Sequence, residues 1–318
     1  LYIAANDFEA RKIYEEFNSI TNGAAVLVEP YEYMLYDAFA KSADVEFRRM
    51  TAINRLIKND YSIAVTSPGA FMQYMTSPDK IKKCFLKVES GGICEPYELA
   101  DKLISVGYER VSQVDGKGQF AMRGDILDVF ASNELNPARI EFFDNEIDTV
   151  RYFDVTTQRT IESVDGIEIF PRNEFCIADD KEEILIKSRI LEALENKLIL
   201  LRNKKLDSLA EKAEKRISSD IEKLRMGRFP GMDRYIPFIP GRKSTWVDYI
   251  DGGIVIVDEP QKAVAILNTV LDEHTRICET VSETSPLLDE TVNMFMTAEE
   301  FFDAVKCADN SIVYEEFS

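Results

Sequence analysis

Histidine is almost absent from this 318-residue sequence, since His274 is the only one. The string DEHTRICE around it provides no second histidine, so metal sites that need two histidines are excluded. A Ser-His-Asp triad is left incomplete for the same reason. We expect His274 to lie at the surface or at the end of a helix.

Cysteine is sparse and irregularly spaced. The five cysteines are odd in number and none lies in a C-x-x-C pair, so the sequence indicates neither a disulfide framework nor a zinc site. We predict no metal site, and we expect the cysteines to act as small buried hydrophobic residues. They are Cys84, Cys94, Cys176, Cys278 and Cys307.

Long hydrophobic runs and a basic leader are also missing. No apolar run approaches the length of about 20 residues that spans a bilayer. The start, LYIAANDFEA, has neither the basic segment nor the cleavage site of a secretory signal. The net charge of −19 excludes a large surface for DNA or anionic membranes, because such surfaces need clustered positive charge. We therefore expect a cytoplasmic protein without membrane contact.

Both ends of the chain alternate between strand-like and helix-like segments. LYIAA reads as a strand, and the following helix begins where Asn6 or Asp7 can cap it. Near the other end, GGIVIVDEP is a nearly continuous apolar strand, followed by a helix and by the strand NSIVYEEFS. This pattern predicts an α/β domain with a parallel sheet that is assembled from two parts of the chain.

The middle of the chain has a different periodicity. A helix is predicted from about Pro96 to Val106, and nearly every segment from Val111 to Ile169 alternates with period two. The string DNE resembles a tight hairpin connection. We predict a small, mainly antiparallel α+β domain inserted into the α/β domain, followed by a charged helical hairpin from about Lys181 to Met226.

A phosphate-binding loop is missing as well. The nearest string is PGRKST at residues 240–245. Arg242 stands where the second glycine of the loop is required, and Pro237, before the string, stands where the first is required. The strand IVIVDEP ends in Asp258 and Glu259 and looks like the acidic strand end that holds magnesium in helicase-type ATPases. Without a phosphate loop the acidic pair has no nucleotide to act on. We therefore predict no catalytic residue and no cofactor, and we interpret the pair as a relic or an ordinary strand end.

The strand ARIEFF has one apolar and one mixed face. Alternation places Ile140 and Phe142 towards the core, and Arg139 and Phe143 on the opposite face. An arginine beside an exposed aromatic ring is a combination enriched at protein interfaces.

A second arginine precedes a glycine in GQFAMRGDILDVF. Gly124 permits a bulge or a close approach after Arg123. If this segment neighbours ARIEFF, then Arg123, Arg139 and Phe143 form one outward patch that suits an acidic protein partner. The pattern leaves a second interpretation open, in which both arginines pair with internal acids such as Asp125, Asp128 or Glu141.

These two segments carry a resemblance to a known family. GQFAMRGDILDVF, followed by NPARIEFFDNEIDTVRYFDVTTQRTIESVDGIEIFP, closely resembles the amino-terminal, UvrB-like module of bacterial transcription-repair coupling factors (Mfd). The likeness extends over YIAANDFEARKIYEEF, SPGAFMQYM and VDYIDGGIVIVDEP, and so covers essentially the whole chain. It departs from UvrB at EPYEYMLYDAFAKSADVEFRRM, which is too short for a DNA-clamping hairpin despite Tyr31, Tyr33 and Tyr36.

The resemblance implies a domain organisation and a partner. It implies a degenerate RecA-like domain in two segments, residues 1–86 and 166–318, around an inserted domain at residues 87–165. In the family the inserted domain binds UvrA, the damage-sensing ATPase, and the contact residues fall here on Arg123, Arg139 and Phe143. The resemblance therefore favours an interface over internal pairing of the arginines.

The function implied is the recruitment of UvrA to stalled RNA polymerase in transcription-coupled nucleotide excision repair, without catalysis. The resemblance also implies that contacts with RNA polymerase and DNA, and the motor that uses ATP and Mg, belong to domains beyond Ser318. Two alternatives remain open: a DNA-dependent ATPase that uses Asp258 and Glu259, and an autoinhibitory scaffold that packs on the motor.

Overall fold

The computed structural model describes residues 1–31, 43–177, 179–203, 208–226, 232–240, 243–281, 294–308 and 310–314. The chain divides into two compact units. The first consists of Leu1–Pro78, Ile184–Met226 and Pro237–Ser318, and the second of Asp79–Glu183 and Gly227–Ile236.

The strands alternate with helices in the first unit and follow one another in the second. In chain order the strands are β1 (Tyr2–Ile3), β2 (Ala25–Val28), β3 (Ile63–Thr66), β4 (Leu86–Glu89), β5 (Glu109–Arg110), β6 (Gln119–Arg123), β7 (Ile126–Phe130), β8 (Ala138–Phe143), β9 (Glu146–Phe153), β10 (Thr160–Val164), β11 (Gly166–Ile169), β12 (Ile254–Asp258) and β13 (Asn310–Tyr314). The helices are α1 (Asp7–Ile20), α2 (Ala43–Ile57), α3 (Pro68–Phe71), α4 (Pro78–Lys83), α5 (Pro96–Ser105), α6 (Asp180–Asn203), α7 (Ser208–Met226), α8 (Pro260–Val281) and α9 (Ala298–Lys306).

The first unit is built on a five-stranded parallel sheet in the order β13-β12-β1-β3-β2. Its strands come from both ends of the chain, as the alternation of segments predicts. Asn6 caps α1, because its side-chain oxygen accepts a hydrogen bond from the backbone N–H of Glu9 at 2.9 Å. The α/β class and the parallel sheet are confirmed.

The core of the first unit contains a tryptophan that organises several segments. Trp246 is fully buried, and its Nε1 donates to the carbonyl oxygen of Ala70 at 3.0 Å. The guanidinium carbon of the buried Arg49 lies 4.8 Å from the centroid of the indole ring. Arg49 also donates to the backbone carbonyl of Glu29 at 2.8 Å, so the ring and this arginine tie α2 to the end of β2.

The charged tract after the second unit forms two helices. Arg202 on α6 pairs with Glu214 on α7 at 2.8 Å, and Arg225 on α7 pairs with Glu195 on α6 at 2.7 Å. The crossed order of these pairs shows that the helices run antiparallel. The predicted charged helical hairpin is therefore confirmed for the described part of the tract.

The second unit contains a six-stranded sheet in the order β10-β9-β8-β7-β6-β5 and a separate pair, β11-β4. The pairs from β6 to β10 are antiparallel, whereas β5 runs parallel to β6. The predicted leading helix is α5. A mainly antiparallel sheet, separate from the parallel sheet of the first unit, is confirmed.

Two tight hairpins shape one end of this sheet. The string DNE contains a tight hairpin connection as predicted: Asp144 and Asn145 form the turn, Phe143 lies opposite Glu146, and Asp144 has a φ of +60°. The expected bulge or close approach at Gly124 is wrong. Arg123 pairs with Ile126 without a shift in register, and a Cβ on Gly124 would meet no atom within 4 Å. Gly124 instead provides the φ of +57° that the two-residue turn between β6 and β7 requires.

The position predicted for the histidine is also wrong. His274 is 5% exposed, lies within α8, and packs its ring 4.6 Å from that of Phe295. Its Nε2 is 3.6 Å from the sulfur of Cys278, one turn further along the helix. The polar and charged residues beside His274 in sequence lie on other faces of the helix, so they do not report its burial. Cys84, Cys176 and Cys278 are buried as expected, whereas Cys94 is half-buried and Cys307 is exposed.

Some features of the sequence fall outside the described residues, namely Tyr33, Tyr36 and Arg242. Within the described ranges, no helix has the length and apolar character needed to cross a membrane. The same ranges contain no group of three His, Cys, Asp or Glu side chains arranged to hold a metal ion.

The buried tryptophan generates a prediction about stability. Trp246→Ala removes a large side chain and its hydrogen bond, so we expect the free energy of unfolding to fall by about 3–5 kcal/mol. Urea unfolding followed by far-ultraviolet circular dichroism measures the change. Phe8→Ala is the control, because Phe8 is 74% exposed and its loss should change the free energy of unfolding by about 0.5 kcal/mol at most. A similar stability for both variants would contradict the role assigned to Trp246.

Candidate protein-interaction surface

The six-stranded sheet has one buried and one mixed face. Leu127, Ile140 and Val150 lie opposite one another on β7, β8 and β9, and each is at most 1% exposed. On each strand, the residues directly before and after these three point to the other side of the sheet. We call that other side the outer face; it carries Arg123, Ile126, Asp128, Arg139, Glu141 and Phe143.

Strand register brings the predicted residues to this one face. Arg123 pairs with Ile126, which pairs with Glu141. Arg139 and Phe143 lie two residues before and after Glu141 on β8, so they share its face. The structure therefore places Arg123, Arg139 and Phe143 on the same side of the sheet; their role in binding stays a prediction.

Arg139 is held in place by a buried carboxylate. Its Nε and one terminal nitrogen donate to the two oxygens of Asp128 at 2.7 and 2.9 Å, and Asp128 is 3% exposed. The guanidinium carbon also lies 4.6 Å from the ring centroid of Phe153. The hydrogen bond to Asp128 raises the pKa of Arg139, although burial of the guanidinium acts in the opposite direction. The internal pairing that the sequence left open is present for Arg139 and Asp128.

Arg123 and Phe143 are much more accessible. The Arg123 side chain is 58% exposed, and its nearest ion-pair contact joins a terminal nitrogen to an oxygen of Asp128 at 3.9 Å. Phe143 is 78% exposed. Arg123 therefore retains hydrogen-bond donors for a partner, while Arg139 uses three of its five N–H donors in bonds to Asp128 and to Gln158.

Neighbouring side chains complete the outer face. Glu141 forms an ion pair with Arg151 and accepts a hydrogen bond from the Thr149 hydroxyl at 3.1 Å. Ile126 is 37% exposed beside Arg123. Ile126 is not among the residues predicted for the site. The alternation of ILDVF carries the missing signal, since it pairs Ile126 with Asp128 on the polar side.

The acidic pair of the first unit is engaged locally. Burial, together with the charge of the Asp258 carboxylate, raises the pKa of Tyr2 to about 12. Glu259 has a φ of +51° at the turn from β12 into α8, and one of its oxygens lies 3.3 Å from the Lys262 ammonium. Asp258 thus interacts with the neighbouring strand β1, and Glu259 with the start of α8.

The outer face lies within a segment that is similar to a known protein family. Residues 86–175 match the family described as the UvrB interaction domain. Over these residues the chain is similar to that family. Arg123, Arg139 and Phe143 all lie inside this segment, while the exact boundaries predicted at residues 86 and 166 stay predictions.

Similarity to curated proteins extends beyond that domain. The chain is 30% identical to the transcription-repair-coupling factor of Bacillus subtilis (strain 168) over 81% of its length, which is 22% of that protein. It is 27% identical to UvrABC system protein B of Thermotoga neapolitana over 96% of its length, which is 49% of that protein. The chain thus spans about a fifth of the first relative and about half of the second. The resemblance to the UvrB-like module of the coupling factors is confirmed.

The buried carboxylate generates a prediction about the outer face. Asp128→Asn replaces an acceptor of the Arg139 pair by an amide donor, so we expect the sheet to lose roughly 1–3 kcal/mol of local stability. Hydrogen exchange of the β7 and β8 amides measures this loss as reduced protection. Glu146→Gln is the control, because Glu146 is exposed and should leave the protection unchanged. Equal protection in both variants would show that the Asp128–Arg139 pair does not hold the sheet.

Proposed function

We propose that this chain is a non-catalytic recruitment module of a transcription-repair coupling factor, acting in the cytoplasm in nucleotide excision repair. Its outer face binds UvrA. The observation that carries the proposal is the presence of exposed Arg123 and Phe143 on one face of a UvrB interaction domain. Contacts with RNA polymerase and DNA are assigned to other parts of the coupling factor.

The chemistry of the outer face supports a protein partner with acidic groups. Arginine offers a planar pair of donors to a carboxylate, and a half-exposed guanidinium needs less desolvation than a fully hydrated ammonium. Phe143 supplies apolar area at the same site. Arg139 acts from beneath, because its pairing with Asp128 neutralises a carboxylate that would otherwise repel an acidic partner.

The parallel-sheet unit is proposed to be a degenerate RecA-like domain that serves as a scaffold. Asn6 uses its side chain to cap α1 directly after β1. The Asp258 carboxylate raises the pKa of Tyr2, and Glu259 forms the turn into α8. These local contacts support a structural role for the acidic pair, which would hold magnesium in an active ATPase.

Substitutions on the outer face test recruitment. Arg123→Ala and Phe143→Ala should each weaken binding to purified UvrA by about 2 kcal/mol or more, because both side chains lie at the centre of the proposed contact. Isothermal titration calorimetry measures the affinity. Arg225→Ala is a matched control, since Arg225 is 63% exposed on the helical hairpin and should bind like the unmodified chain.

Salt provides an independent readout for the same contact. Binding should weaken as the salt concentration rises, and less so in Arg123→Ala, because an exposed ion pair is screened by salt. Arg139→Ala requires a stability measurement beside the titration, since it leaves Asp128 without its bidentate partner. Full affinity in a folded Arg123→Ala, Phe143→Ala double variant would refute the residue assignment.

We also propose that the chain does not hydrolyse nucleotides. The purified chain, titrated with ATP and magnesium at micromolar concentration, should show no saturable binding and no phosphate release. Asp258→Ala serves as the comparison. Nucleotide binding by the unmodified chain that disappears in this variant would support the alternative of a DNA-dependent ATPase.

A further inference from the structure

We propose that the interaction surface extends beyond Arg123 and Phe143 to Ile93, which lies in a different segment of the chain. The partner then offers an apolar hollow that covers Phe143 and Ile93 together. A carboxylate of the partner faces Arg123, and a basic group faces Glu146. This inference rests on the proposed function and names the chemistry of the partner at that site.

Ile93 joins the sheet through a short antiparallel bridge to β9. The amide of Ile147 donates to the carbonyl of Gly92 at 2.8 Å, and the amide of Cys94 donates to the carbonyl of Asn145 at 2.8 Å. Ile93 and Glu146 therefore face each other between these two hydrogen bonds. In such a non-hydrogen-bonded antiparallel pair the Cα atoms are about 4.5 Å apart and the side chains are close.

Strand register then puts two large apolar side chains in one row. Glu146 pairs with Ile93 on one side and with Phe143 on the other. Residues directly opposite in antiparallel strands project to the same face. The row Phe143–Glu146–Ile93 thus crosses the outer face at the end of the sheet that carries the β8–β9 turn. The β6–β7 turn, with Arg123, lies at the same end.

The exposure of these residues is unusual for their size. Phe143 is 78% exposed and Ile93 is 71% exposed. Single exposed hydrophobic residues are common on protein surfaces, but here two large ones lie in one row with only Glu146 between them. Ile126, which is 37% exposed on the outer face next to Arg123, adds apolar area to the same face.

The chain at residues 89–92 is shaped to deliver Ile93 to this position. Gly91 has a φ of +78°, which other residues rarely adopt. A Cβ on Gly92 would lie 2.9 Å from the backbone oxygen of Glu89. Both glycines are therefore required by the turn after β4. That turn directs Ile93 to the start of β9, beyond the residues that pair with β10.

The charges along the row define the partner. Asp128 and Glu141 are already paired with Arg139 and Arg151. Glu146 is exposed between two apolar side chains, so covering the row would leave its carboxylate without solvent unless the partner supplies a donor. A partner with an apolar hollow flanked by one basic and one acidic group fits this pattern.

A double-mutant cycle on the intact chain tests the inference. Ile93→Ala should weaken binding to purified UvrA roughly tenfold. The effects of Ile93→Ala and Phe143→Ala should combine non-additively, because both side chains enter the same hollow. Leu135→Ala is the matched control: Leu135 is 87% exposed in the loop between β7 and β8, so it should neither weaken binding nor couple to Phe143→Ala.

The outcomes separate this inference from the proposed function. Normal binding by a folded Ile93→Ala variant, beside weak binding by Phe143→Ala, overturns the extension and leaves recruitment intact. An unmodified chain that does not bind UvrA overturns both. Ile93 is exposed, so equal thermal unfolding of the variant and the unmodified chain excludes misfolding as the cause of a loss. Glu146→Gln should also weaken binding, and full binding by that variant overturns the basic group assigned to the partner.

Discussion

The outer face depends on one buried carboxylate and the arginine opposite it. Asp128 sits almost fully buried in the middle of an otherwise accessible face, where an unpaired charge would be costly. Arg139, directly across on β8, donates to both of its oxygens. These two hydrogen bonds favour the register of β7 and β8 in which Asp128 lies opposite Arg139. The pairing also leaves Arg123, at 3.9 Å from the same carboxylate, close enough to be oriented and still available to a partner.

This arrangement makes the surface rigid before it meets a partner. Arg139 is clamped between Asp128 and the ring of Phe153, and Phe143 stands at the first position of a two-residue hairpin. Side chains that are ordered in advance lose less conformational entropy on binding. A small antiparallel sheet with tight turns therefore suits recognition better than a long loop that carries the same residues.

Sequence patterns predict those parts of the molecule that depend on local periodicity. The alternation in ARIEFF separates Arg139 and Phe143 from the core, and DNE marks its hairpin. The place of Ile93 could not be predicted, because its neighbour Glu146 is 53 residues away and the bridge depends on the turn at Gly91 and Gly92. Helices α2 and α9 are not among the predicted elements. The burial of His274 differs from the prediction because its neighbours in sequence lie on other faces of α8 and do not report it.

The acidic strand residues of the two units have different surroundings. In the parallel sheet, the Asp258 carboxylate raises the pKa of Tyr2 on the neighbouring strand, and Glu259 forms the turn into α8. In the antiparallel sheet, Asp128 and Glu141 are each matched by an arginine on the outer face. Matching neutralises the acids and leaves Arg123 exposed on a chain whose net charge is −19. Under the proposed function, the exposed Arg123 attracts a complementary acidic group of the partner.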